Sequence, residues 1–181
     1  PYTLRQPANF PALVYALDQN PLTFEGVELG RALFYDPRLS RDSTISCAFC
    51  HQQFAGFGHS DHALAHGIDG KFGTRNVPGL FNLGYANEFF WDGGIVGLDN
   101  LAIAPLENPV EMDLKFPAVL DRVRKMPNYR SRFKQVFGTD SITSARFLKV
   151  LSQFMLTLVS ADSKYDKFKR GEAGGTLTAD E

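Results

Sequence analysis

Cysteine is scarce in this sequence: two residues in 181, Cys47 and Cys50. That scarcity excludes a disulfide scaffold and any metal site built on four thiolates. Neither sign of charge is in excess, with 19 Lys and Arg against 20 Asp and Glu. Such a balance argues against a general nucleic-acid binder, whose affinity comes from neutralising phosphates. Long apolar runs are missing too. The nearest approach, residues 147–159, is interrupted by Lys149, Ser152 and Gln153 and is too short and polar to cross a bilayer. The first residues, Pro1-Tyr2-Thr3-Leu4, lack an initiator Met and the charged-then-apolar pattern of a secretory leader. They read as the start of a processed or trimmed product.

What the sequence does have is apolar mass. Hydrophobic residues make up 44% of it, 16 of them Phe, which is enough to bury the core of one ordinary domain. Residues 1–21 are rich in Pro and Asn, show little periodicity, and read as an arm lying on that domain. Thr23 is placed to cap a helix whose stripe is Val27, Leu29, Leu33 and Phe34 and which ends at Asp36-Pro37. A short helix is expected over residues 45–52. Residues 54–85 hold seven Gly and no sustained period, the mark of a long functional loop. Helical spacing returns in Phe116, Val119, Leu120, Val123 and Met126, then in Tyr129, Phe133, Val136 and Phe137 up to Gly138. Ser141 or Thr143 opens the strongest helix, with an apolar face from Phe147 to Val159. Nothing alternates with period two. The fold class is therefore all-α with long irregular loops. After a Gly-rich linker at 171–175, Thr178-Ala179-Asp180-Glu181 has the form of a capping box, so a further helix is expected to start there.

The sharpest motif is Cys47-Ala48-Phe49-Cys50-His51. On a helical turn the two Cys share a face, so their thiols can reach both vinyl groups of one haem, and His51 can place a ring nitrogen under the iron. This is the pattern of covalent haem c attachment. Three other readings compete. Cys47-x2-Cys50 followed, after eleven residues, by His62-x3-His66 approaches a Cys2His2 zinc spacing, but the intervening segment lacks the hairpin-then-helix apolar pattern of a finger. A thioredoxin-like pair wants a βαβ unit, and none is readable. An ordinary buried pair would leave His51 a coincidence. The Phe content suits a chain packed around a flat macrocycle, and equally a Phe-rich helical core.

Several segments together resemble the di-haem cytochrome c peroxidase / MauG family. They are Leu29-Gly30-Arg31-Ala32-Leu33-Phe34-Tyr35-Asp36-Pro37-Arg38-Leu39-Ser40 before the haem motif, then Gly73-Thr74-Arg75-Asn76-Val77-Pro78, Phe90-Trp91-Asp92-Gly93 and Asn108-Pro109-Val110-Glu111-Met112. The resemblance covers roughly residues 22–181. It implies a cytochrome c-like, N-terminal peroxidatic haem domain over 22–170, with 171–181 as a linker leading to a second haem domain. It further implies reduction of hydrogen peroxide to water with electrons from a small cytochrome c or copper protein, in the periplasm, in a candidate homodimer.

By the same resemblance, Cys47, Cys50 and His51 hold haem c, Glu111 is the acid/base group, and Trp91 assists electron passage between haems. Asn76 matches a calcium-binding position. His66 is the candidate distal iron ligand, although the family's own position, counted back from Arg75, holds Ile68; His59 and His62 are further candidates. Gly94 stands where the family often has Arg, and Leu101 where it often has Gln. Loss of a polar neighbour there would raise the Glu111 pKa by desolvation, or shift the substrate. The competing functional reading is a mono-haem electron carrier, with Met112 or Met155 as a permanent sixth ligand.

Overall fold

The structure, a computed structural model, describes residues 1–60 and 62–181. Its helices are α1 (Phe24–Phe34), α2 (Cys47–Cys50), α3 (Ile103–Glu107), α4 (Phe116–Arg124), α5 (Pro127–Phe137), α6 (Ser144–Leu156) and α7 (Lys164–Arg170). The only strands among the described residues are β1 (Glu88–Phe89) and β2 (Ile95–Val96), an antiparallel pair two residues long. The chain is otherwise helix and loop, as the missing period of two required.

Helix ends fall where their capping chemistry puts them. Thr23 Oγ1 accepts the Gly26 N–H at 2.9 Å to open α1, and Thr143 Oγ1 accepts the Arg146 N–H at 3.3 Å to open α6. Pro117 and Pro127 sit in the first turns of α4 and α5, where a missing N–H costs nothing. Gly138 closes α5 at φ +73°.

The core is built on α1 against α6. Their backbones touch at Gly30, where an added Cβ would lie 1.9 Å from the Val150 carbonyl oxygen. Leu29, Leu33 and Phe34 of α1 and Phe147, Val150 and Leu151 of α6 are buried along this contact. α4 and α5 enclose the other side with Val119, Val123 and Phe133. A charged knot locks the end of α1. Asp36 is buried, takes Arg38 through two guanidinium nitrogens, and accepts the Tyr129 hydroxyl at 2.7 Å.

The first 21 residues contain no helix and lie across α6 and α7. Asn20, only 3% exposed, donates to the Tyr15 hydroxyl (2.8 Å) and the Lys149 carbonyl (2.9 Å), and accepts from Gln153 Nε2 (2.9 Å). Asn9 donates to Asp166 of α7 at 2.9 Å.

One local expectation changes, and two elements are added. The helix expected over 45–52 is a single turn, because His51 leaves helical geometry and Gln52 pairs with Gly58 instead. α3 and α7 were not legible from apolar period. α3 is five residues around Pro105, and α7 is a polar run launched by a capping box between Ser163 and Asp166. The Glu181 carboxylate accepts the Thr178 N–H at 2.9 Å, one half of the capping box read there, and is also bound by Lys164 Nζ at 2.5 Å.

Candidate functional site

A cavity of about 540 Å³ opens between the haem-motif turn, the Gly-rich loop and the segment after α3. Cys47, Cys50, His51 and Glu111 all line it, among mainly apolar side chains that include Phe34, Leu106 and Met155. α2 is short enough to present both sulfurs from one turn, and the His51 N–H still closes that turn on the Cys47 carbonyl at 2.9 Å.

The His51 ring is fixed by a short, directional contact. Its Nδ1 lies 2.8 Å from the Phe57 carbonyl oxygen, which can only accept, so Nδ1 carries the proton and Nε2 keeps its lone pair. Burial pushes the imidazole pKa down to about 4, against the opposing pull of the Phe57 and Pro78 carbonyls. The ring is thus neutral at ordinary pH, the form that ligates a metal.

The two sulfurs favour a neutral state. Burial pushes the Cys47 thiol up to about 12, with the neighbouring Cys50 adding to it; burial and then the Glu111 charge push Cys50 to about 11. Both thiols are free of any disulfide. A site that disfavours thiolate suits an uncharged thioether. Nor do these cysteines meet His62 and His66 in a four-ligand group. Among the described residues the His side chains gather apart from them, so the zinc-finger spacing is not realised.

Glu111 is half-buried, and desolvation raises its carboxyl pKa above the usual range while a hydrogen bond from Asn108 works against that rise. Asn108 is the organiser here. Its Nδ2 donates to Glu111 Oε1 at 2.7 Å while its Oδ1 accepts the Val110 N–H at 3.2 Å. From the Gly-rich loop, the Ile68 N–H reaches the Glu111 carbonyl at 2.8 Å. The preceding Gly67 is pressed against this segment: a Cβ there would stand 2.5 Å from Glu111 O, 2.6 Å from its Cα and 2.7 Å from Val110 O.

Trp91 lines the cavity mouth yet is 66% exposed, and its indole N–H donates to the Asn76 carbonyl at 2.9 Å. Asn76 also spends its amide nitrogen, on the His62 and Ala63 carbonyls at 3.1 and 3.3 Å. Its Oδ1 remains as the one side-chain oxygen it can offer a calcium ion, which wants six to eight. Leu101 and Met112 are buried and line the same cavity, as does Met155.

His66 lies beside the cavity rather than in its lining, where Ala65 takes the neighbouring position. The His66 ring packs with His59 and His62, at centroid distances of 5.4 and 4.6 Å. Sequence reasoning singled out each of these three and missed that they converge. It also missed the roles of Asn108 and Gly67, which were visible only as letters of longer motifs. Spacing cannot show that a carbonyl at Phe57 or a bare Cα at Gly67 sets a neighbour's position.

The residues present fit a flat, apolar, doubly tethered macrocycle: two neutral sulfurs on one turn, an imidazole with a fixed tautomer, a desolvated carboxylate and otherwise apolar walls. Comparisons with known proteins agree. The sequence model described as di-haem cytochrome c peroxidase matches residues 24–174. The methylamine utilization protein MauG of Methylorubrum extorquens is 36% identical over 155 residues, 84% of this chain and 43% of that protein. The cytochrome c551 peroxidase of Nitrosomonas europaea is 38% identical over 152 residues, 84% of this chain and 45% of that one. Among solved structures, a MauG-like protein associated with microbial copper homeostasis superposes with a TM-score of 0.85 at 30% identity, covering 99% of this chain and 52% of that chain. The chain thus spans about half the length of the relatives it matches.

Proposed function

The chain belongs to the di-haem cytochrome c peroxidase family, and from that premise we propose that it is the peroxidatic, haem c-bearing part of such an enzyme. The observation that carries this reading is the shared cavity, which joins the tethering turn, a ligand-ready His51 and a desolvated Glu111. Cys47 and Cys50 supply the thioether anchors and His51 Nε2 the proximal iron ligand. Haem c, when bound, supplies the iron through which two electrons reach the peroxide.

The rest falls to the side chains. Reduction of hydrogen peroxide takes two electrons and two protons and yields two waters. One oxygen must lose its proton and the other must gain one as the O–O bond breaks. Glu111 is the group in the cavity able to do both, accepting the proton from the near oxygen and returning it to the departing one. A carboxyl moved upward from its ordinary pKa is better matched to this exchange near neutral pH than an exposed one. Asn108 keeps the accepting oxygen in place through its 2.7 Å bond. Trp91, half inside the cavity mouth and half in solvent, is the candidate route for electrons from a second haem domain, themselves drawn from a small cytochrome c or copper protein. Attachment of haem c outside the cytoplasm supports a periplasmic home. A calcium ion at Asn76 would draw Oδ1 from this chain and most of its shell from elsewhere.

A second reading has its own observation. Met112 and Met155 are both buried and both line the cavity, so either thioether could close the sixth position and leave a mono-haem carrier. The deciding experiment loads the chain with haem, counts it by pyridine haemochrome, and adds peroxide to the reduced protein. Turnover that falls by roughly two orders of magnitude in Glu111→Gln with the haem count unchanged supports the peroxidase. No turnover, with a low-spin spectrum that peroxide does not alter, establishes the carrier.

A further inference from the structure

We propose that His59, His62 and His66 form a second metal site, separate from the haem cavity, that takes a late first-row divalent ion, copper(II) ahead of zinc(II). Each of the three offers a ring nitrogen, and these nitrogens lie within 4.8 Å of one another. Three imidazoles on one small ion, with bonds of about 2.0–2.1 Å, need their nitrogens roughly 3.3–3.5 Å apart. One pair is already close to this, since His62 Nδ1 stands 3.2 Å from His59 Nε2 in a hydrogen bond whose shared proton the ion would displace. Bringing the third nitrogen in takes a shift of at most about 1.5 Å, within the reach of a side-chain rotation.

The backbone beneath the rings is braced. Asn76 Nδ2 holds the His62 and Ala63 carbonyls, the Ala65 N–H donates to Arg75 O at 2.8 Å, and Gly73 N–H returns to Ala65 O at 2.7 Å. Cys50 Sγ lies 3.4 Å from the His66 carbonyl. Aromatic walls complete the support, Phe49 at 5.3 Å and Phe72 at 5.8 Å from the His66 ring. None of the three rings lines the haem cavity.

The donor set decides the ion. Three neutral imidazoles without a thiolate suit copper, nickel and zinc rather than calcium or magnesium, and among these the general affinity order places copper(II) first. His62 is exposed and the other two are half-buried, which leaves a side open for water as a further ligand and for the ion to enter.

The test uses the haem-loaded chain, dialysed against copper(II) chloride and, separately, zinc chloride. Haem iron serves as the internal standard for the metal count. One copper per haem is expected, with nitrogen superhyperfine structure in its paramagnetic resonance spectrum. Because His62 is exposed, His62→Ala should keep the circular dichroism and Soret band of the parent and weaken copper binding at least tenfold, with zinc affected in parallel. Lys71→Ala, on the same loop, should bind as the parent does. Equal copper retention by the parent and His62→Ala would overturn the site. So would a His66→Ala variant that changes the haem spectrum while binding copper normally, an outcome that returns His66 to the iron.

Discussion

Substituting Gly67 by Ala puts the positioning of Glu111 to the test without touching the carboxylate. The added methyl would lie 2.5 Å from Glu111 O and 2.6 Å from Glu111 Cα, where ordinary contact begins at 3.4 Å, so the two backbones must part by nearly 1 Å. Both partners are main chain, and no flexible side-chain end can yield instead. The Ile68 N–H bond to Glu111 O, 2.8 Å in the parent, is stretched by the same movement. A displacement of about 1 Å in a group that must reach two oxygens costs on the order of a hundredfold in rate. The cysteines and His51 lie on a different segment, so haem content should be unchanged. The assay is peroxide turnover by the haem-loaded chain with a small-molecule one-electron donor, normalised to pyridine haemochrome. Turnover within threefold of the parent, at equal haem content, would refute the claim that this contact sets the carboxylate's place.

Three further outcomes follow from the same geometry. Desolvation raises the Glu111 pKa, so the folded state favours the protonated acid; the stability this gives is full at low pH and is lost as pH rises through the raised value. Glu111→Gln should therefore unfold later than the parent in neutral urea titrations and no later at pH 4, and equal midpoints at neutral pH would contradict it. Gly30→Ala drives a methyl to 1.9 Å from the Val150 carbonyl and should cost about 3 kcal/mol, a fall in melting temperature of roughly 6–12 °C for a chain of this length; a midpoint within 2 °C of the parent would show that α1 slides freely on α6. Burial alone would raise the Asp36 carboxyl, but the Arg38 guanidinium and the Tyr129 hydroxyl outweigh it and hold it below 3.8. Its contribution is present above that value and fades as pH falls through the lowered one, so Asp36→Asn should destabilise by about 1–3 kcal/mol at pH 7 through the lost hydrogen bonds, and the gap to the parent should narrow in acid.

Much of this was legible before any coordinates. The long amphipathic helices announced themselves by apolar spacing, and their ends by Thr23, Thr143 and Gly138. The tethering turn is a local motif, and a local motif survives in one dimension. What the sequence concealed is contact between distant segments. The Asn108 bridge to Glu111 spans three residues and could have been suspected, but the pressure of Gly67 on that turn joins two loops. α7 lacked an apolar stripe, so only its Ser163 and Asp166 box betrayed it. His66 was legible as a candidate iron ligand in the loop, but not the packing of its ring against His59 and His62, which joins residues that spacing alone does not bring together.

The leading segment has a practical bearing on how this unit is cut. Asn20 supplies donors and an acceptor to the interior side of α6, and Gln153 and the Lys149 carbonyl are satisfied there by it. Trimming back to the first helix would remove these bonds, at about 0.5–1.5 kcal/mol for each, together with the cover they give α6. The smallest piece able to fold and hold its pigment is therefore longer than its helical alphabet suggests. Anyone grafting this module onto another scaffold should carry this irregular but docked segment along with it.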